Sequence, residues 1–205
     1  IGLAIFFEGS IFSTGAIILS PLGDITVAAH QIAISVTSQL FMIPMSLAIA
    51  LTIRTGMYYG EKNWPAMIKV QKVGLIVGTG FAFITMLLMW LFRHQIVAVY
   101  TNDFGVTHVA VYLILFAIAY QLMDAWQVSA AGCLRGMQDT KGPMWITMLA
   151  YWIIAFPVGI YLARYTDMGA AGVWMGLIVG LSIACVLLIT RLYMNNKRLR
   201  LHNGL

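Results

Sequence analysis

The chain has 205 residues, of which 61% are hydrophobic and 9% charged, and its formal net charge is +5. That composition excludes a soluble globular domain. Its apolar runs have the roughly 20-residue length of membrane-crossing helices, whereas membrane strands alternate over about ten residues. The expected class is an all-α integral membrane protein with six transmembrane helices.

The first predicted span covers about residues 1–19, carries Glu8 well inside it, and ends at Ser20-Pro21-Leu22-Gly23-Asp24, where proline and glycine punctuate a turn. It starts within apolar sequence and has no basic flank, so no signal peptide is expected and the chain reads as cut from something longer. The second span, 26–59, is too long for one straight crossing; Val27 to Gln31 is expected near the interface, with a kink at Pro44. Gln31, Ser35 and Ser38 form a mild polar stripe on it, read either as interhelical hydrogen bonding or as ligand contact.

The third span, 66–92, opens at Asn63-Trp64-Pro65 and has Gly74 and Gly78 spaced for close helix contact. A short amphipathic piece from Arg93 to Tyr100 follows, and Asn102-Asp103 reads as a helix N-cap. The fourth span, 106–134, carries Tyr120, Asp124 and Gln127 at i, i+4 and i+7, which puts all three on one stripe. It ends in a polar turn, Arg135 to Pro143, with glycine and proline as breakers. The fifth span, 144–163, has a second expected kink at Pro157. The sixth, 169–194, has Gly172, Gly176 and Gly180 at every fourth position, a small-residue face for packing, and a basic tail from Asn195 to Arg200 follows. Cys133 and Cys185 sit in apolar segments and read as buried packing residues.

Charge orients this arrangement. Ten of the 12 Lys and Arg residues fall in the second-to-third connection, the fourth-to-fifth connection and the tail, and two, Arg93 and Arg164, fall on the opposite side. By the positive-inside rule the tail is cytoplasmic. The positive net charge thus reads as membrane orientation, and no nucleic-acid partner is expected. Five of the seven acids also lie in connections; the other two, Glu8 and Asp124, lie inside spans that contain no Lys or Arg to neutralise them. A carboxylate inside a membrane costs at least a few kcal/mol and ordinarily faces a cavity or partner on a transport path. In low dielectric it takes up a proton or recruits a cation, as a cation-coupled transporter requires. The bland alternative is a pair of neutral, hydrogen-bonded carboxyls serving as packing glue.

With these features in view, the sequence resembles the carboxyl-terminal half of multidrug and toxin extrusion (MATE) transporters, in their NorM-like bacterial branch. The resemblance rests on Leu3-Ala-Ile-Phe-Phe-Glu8, Ser20 to Gln31, Phe41-Met-Ile-Pro-Met-Ser46, Tyr120-Gln-Leu-Met-Asp-Ala-Trp-Gln127 and Ala130-Ala-Gly-Cys-Leu-Arg-Gly136, and covers nearly the whole chain. It implies one lobe of a twelve-helix, two-lobe transporter, with an amino-terminal six-helix lobe as partner and a central cavity between the two. It also implies a bacterial inner membrane, a cytoplasmic carboxyl terminus, and export of cationic organic drugs in exchange for Na⁺ or H⁺, with no cofactor beyond that coupling ion. The family's cation site maps onto Glu8, Tyr120 and Asp124. Glu8 and Asp124 would be the hard ligands if the ion is Na⁺, while Gln127, Ser35 and Ser38 are candidate cavity-lining residues.

Two other functions compete with this one. A lipid or oligosaccharide flippase of the same wider superfamily would usually have basic residues in its cavity, whereas both intramembrane charges here are acidic. An intramembrane enzyme would need a nucleophile with a base or a metal cluster. His30, His94, His108 and His202 read as lying at ends or in loops, and neither HExxH nor GxSxG occurs.

Overall fold

In a bilayer every backbone polar group has to be satisfied inside the protein, and this chain meets that demand with helices. The computed structural model describes residues 18–202, and among the described residues there is no strand. A short 3-10 turn, Ser20–Leu22, leads into α1 (Asp24–Gly60), α2 (Trp64–Tyr100), α3 (Phe104–Gly136), α4 (Lys141–Tyr165) and α5 (Ala170–His202). All five are long and apolar enough to cross a membrane. Most of the predicted first span, Glu8 included, lies outside the described residues.

Local chemistry sets the helix ends. The α2 start is capped by Asn63, whose side-chain oxygen accepts from the Ala66 N–H at 3.3 Å, with Pro65 in the first turn. Asp103 caps α3 by accepting from the Val106 N–H at 2.8 Å. The ends of α1 and α3 close in one way: Lys62 (φ 56) and Gln138 (φ 62) turn left-handed, so that Asn63 N–H reaches the Tyr58 carbonyl and Asp139 N–H the Leu134 carbonyl, each at 2.9 Å. The glycine near the second turn has a different job. Gly136 belongs to α3, and a Cβ there would come within 2.7 Å of the Thr52 carbonyl of α1.

α3 is the central helix, packed against α1, α2 and α5, while α4 lies along α5. Small residues make both close seams. At α1–α3, a Cβ on Gly132 would approach the Ala48 carbonyl to 2.6 Å, and Thr52 Oγ1 donates to the Gly132 carbonyl at 3.0 Å. At α4–α5, Gly172 and Gly176 lie against Leu162, Ala163 and Gly159 backbone, as the spacing of the three glycines led one to expect. α2 is the outermost of the first three helices: Ile76, Phe83, Ile84, Leu87 and Trp90 are all exposed. Apolar side chains outside and polar ones within is the distribution suited to lipid surroundings.

Two expectations need revision. The stretch after Phe92 is no separate amphipathic piece, because no breaker interrupts the helix before Tyr100; Arg93 donates to the Trp90 carbonyl at 2.7 Å and lies over the Trp90 ring. The basic tail is not a tail either. α5 continues to His202, pinned where Asn195 donates to Asp139 at 3.1 Å and Asn196 to Gln71 at 2.7 Å. At the expected kink, α4 runs on through Pro157 and has a π-helical segment, Leu149–Ala155, just before it. Wider turns of this kind accommodate a helix that a proline deprives of one hydrogen bond.

Asp139 ties the α3–α4 connection to α5. Arg191 Nε donates to its Oδ2 at 2.6 Å and Nη2 to its Oδ1 at 3.0 Å, and the Gly142 N–H donates to Oδ1 at 3.2 Å. Burial pushes this carboxyl up, but the Arg191 hydrogen bonds and charge, the Gly142 N–H and Asn195 together hold it below the usual carboxylate value. Since the folded value is the lower one, the stabilisation is complete above the ordinary 3.8 and is lost as pH falls through the depressed folded value. Asp139→Asn should therefore lower the thermal midpoint in detergent at neutral pH, and the gap to the parent protein should close across that acidic window. A constant gap would deny the carboxylate its role.

The α4–α5 seam makes a second prediction. A Cβ on Gly176 would come within 2.5 Å of Gly159 backbone atoms, which have no flexible end to move aside. Gly176→Ala should destabilise the fold by about 1–3 kcal/mol, as overpacking does elsewhere. Gly80, around which a Cβ meets nothing within 4 Å, should accept alanine without loss in the same melting assay.

Candidate functional site

The buried residues of α3 divide into three zones. Up to Tyr120 they join one apolar cluster with α1, α2, α4 and α5, and from Ala130 onward they join a second with Leu51, Met67, Ile68, Leu188 and Leu192. Between the clusters lies a polar waist. Gln121, Asp124, Gln127 and Ser129 are all essentially inaccessible there, with Asp124 1% exposed. The predicted stripe is thus a buried stripe: Tyr120, Asp124 and Gln127 all point into the bundle.

The waist is wider than the three-residue pattern. Gln121 shares it, beside a cavity of about 10 Å³ that is also lined by Pro44 of α1 and by Gly78 and Thr85 of α2. The Gln121 and Gln127 Oε1 atoms and Ser129 Oγ receive no hydrogen bond from the described residues. Such oxygens suit a small cation or a water, since leaving them bare costs about 1–3 kcal/mol each. Trp126, on the outer side of α3, fixes its rotation by donating to Thr79 Oγ1 of α2 at 2.7 Å.

Above the waist, Tyr120 belongs to an aromatic column. Its ring meets the edge of Trp174 on α5 (centroids 6.2 Å apart, 84° between planes), and Trp174 in turn meets His30 of α1 (6.0 Å, 72°). Trp174 is fully buried and His30 nearly so. The latter corrects the placement of His30 at a helix end. α1 begins at Asp24, so His30 already lies nearly two turns inside, against Trp174. Neither His30 nitrogen has a hydrogen-bond partner among the described residues.

The remaining predicted residues are placed differently. Ser35 is partly buried and donates to the Gln31 carbonyl of its own helix at 2.8 Å, while Ser38 is exposed on the surface of α1. Glu8 lies outside the described residues. Among the described residues no group of three or more His, Cys, Asp or Glu is gathered to hold a metal ion. Any cation at Asp124 would therefore be shared with neutral oxygens or with residues beyond those described.

Comparison with known proteins bears on the family and the fold. The MatE family model matches residues 1–161. The chain is 75% identical over 199 residues to a probable multidrug resistance protein NorM of Acinetobacter baylyi, covering 97% of this chain and 44% of that protein. To a multidrug resistance protein NorM of Vibrio vulnificus it is 42% identical over 198 residues, covering 94% and 43%. Among solved structures, the eukaryotic MATE transporter AtDTX14 superposes with a TM-score of 0.88 at 18% identity, over 98% of this chain and 46% of that one, a likeness of fold. The chain spans less than half the length of each of these relatives.

Trp174 offers a direct test of the column. Trp174→Ala should cost about 3–5 kcal/mol, the usual toll of emptying a buried aromatic site. Trp174→Phe, which keeps a ring between His30 and Tyr120, should recover most of the thermal midpoint. Equal losses in both variants would argue that the column is not what holds α1, α3 and α5 together.

Proposed function

Because the chain belongs to the MatE family, we propose that it forms one lobe of a two-lobe secondary antiporter, which exports cationic organic drugs in exchange for Na⁺ or H⁺. The observation that carries this reading is Asp124, a carboxylate buried at the polar waist of a bundle otherwise closed by apolar clusters on both sides. An ionisable residue inside a membrane marks an ion or substrate path far more often than it serves packing. Relatives named multidrug resistance proteins support drugs as the cargo.

In this reading Glu8 and Asp124 bind the coupling cation or exchange its proton, Tyr120 lines the site, and Gln127 adds a neutral oxygen from the same stripe. Ser35 and Ser38, on or near the surface of α1, are candidates for the wall of the central cavity, whose other wall comes from the amino-terminal lobe. The whole protein resides in a bacterial inner membrane. The end of the bundle that carries Lys62, Lys141 and the end of α5 faces the cytoplasm, following the distribution of Lys and Arg.

Exchange follows from competition. A cationic drug and the coupling ion both seek the acidic waist, so entry of the ion from outside neutralises the carboxylates and weakens drug binding. The ion shifts the transporter toward the inward-facing state only to the extent that it binds that state better. Asp124→Asn in the whole protein should abolish drug efflux from vesicles under an imposed Na⁺ gradient or pH gradient, with insertion and thermal stability retained. Undiminished efflux by that variant would refute the role assigned to Asp124.

A further inference from the structure

A groove of about 560 Å³ runs along the outside of the α1–α2 hairpin. Its deep part is lined by Leu47 of α1 and by Val73 and Val77 of α2, and Arg54, Tyr58 and Lys69 stand at its shallow end, toward the connection between the two helices. We propose that this groove is a binding site for one anionic phospholipid, its phosphate held by Arg54 and Lys69 and an acyl chain laid between α1 and α2.

Charge, depth and length favour that occupant. Arg54 and Lys69 form no ion pair and no hydrogen bond among the described residues, and no acid lines the groove; Glu61 lies beyond it in the connection. Two cations that the described residues leave unpaired line one pocket and select an anion. Arg offers a planar fork for phosphate oxygens, and Lys adds a point charge. The shallow end also has Tyr58, a residue type enriched at membrane interfaces. From Tyr58 to Leu47 the helix rises about 16 Å. That matches one leaflet, about half of a 30 Å hydrocarbon core. Basic pockets between membrane helices bind anionic headgroups by the same physics. The proposal needs only that this lobe sits in a bilayer, and holds whether or not Asp124 couples an ion.

The test measures lipid binding, independent of efflux. The purified whole protein would be titrated in detergent with phosphatidylglycerol or phosphatidylcholine of equal chain length, and bound lipid counted by native mass spectrometry. Phosphatidylglycerol should bind more tightly than phosphatidylcholine. The double variant Arg54→Gln/Lys69→Gln should weaken phosphatidylglycerol binding about tenfold or more. Lys197→Gln/Arg198→Gln, which removes the same charge from the end of α5, should leave it unchanged. Val77→Trp, which fills the deep half and keeps both cations, should weaken it as well. Equal affinity for the two lipids, equal losses in both double variants, or full binding by Val77→Trp would each overturn the site. So would a photo-crosslinker at Val73 that captured a segment of the protein's other lobe in place of lipid.

Discussion

Burying a carboxylate inside an apolar bundle costs free energy that only a proton, a cation or converging donors offset, and the rest of this chain is arranged around one such group. Asp124 sits in the middle of α3, and α3 sits in the middle of the fold. Below and above it, separate apolar clusters close the bundle. The polar waist between them is held by close backbone seams: glycines 132 and 136 bring α1 against α3, and glycines 172 and 176 bring α4 against α5. Lipid supplies no hydrophobic drive for association between helices, so such packing carries the assembly.

This division of labour keeps chemistry and cohesion on separate residues. The waist has Gln121, Asp124, Gln127 and Ser129, and the Gln121, Gln127 and Ser129 oxygens receive no hydrogen bond from the described residues. The seams have almost nothing ionisable. Outside the membrane core the balance reverses, and polar contacts do the holding: Asp139 gathers Arg191, Asn195 and the Gly142 N–H, and Gln71 links Met137 to Asn196. Under the proposed antiport, that separation would let the waist change its charge while the seams stay intact.

Much of this could be read from the residues. Asp124 stood out because every basic residue is accounted for in a connection or an end, and its stripe with Tyr120 and Gln127 follows from helical spacing. The caps at Asn63 and Asp103 and the α5 glycine face were legible for the same local reasons. What stayed hidden depends on tertiary neighbours. His30 follows a proline–glycine turn and reads as interfacial until Trp174, 144 positions later in sequence, covers it. Gly136 resembles a breaker until the Thr52 carbonyl occupies the space of its missing side chain. The run from Asn195 to Arg200 looks like a loose basic tail until Asp139 and Gln71 fix it as helix. Nothing local in Leu149 to Ala155 announces a π-helical segment.

In the proposed exchange, a drug and a small cation contend for the waist through Asp124. That competition is measured as the affinity of the whole protein for a cationic drug at rising Na⁺ concentration and, separately, at falling pH, for the parent protein and for Asp124→Asn. Linkage makes the effect reciprocal, so the ion that weakens drug binding must itself be displaced by the drug. The expected result is loss of drug affinity with one of the two ions in the parent protein, and no such dependence in the variant. Drug affinity in the parent protein that ignored both ions, or an undiminished dependence in the variant, would contradict it.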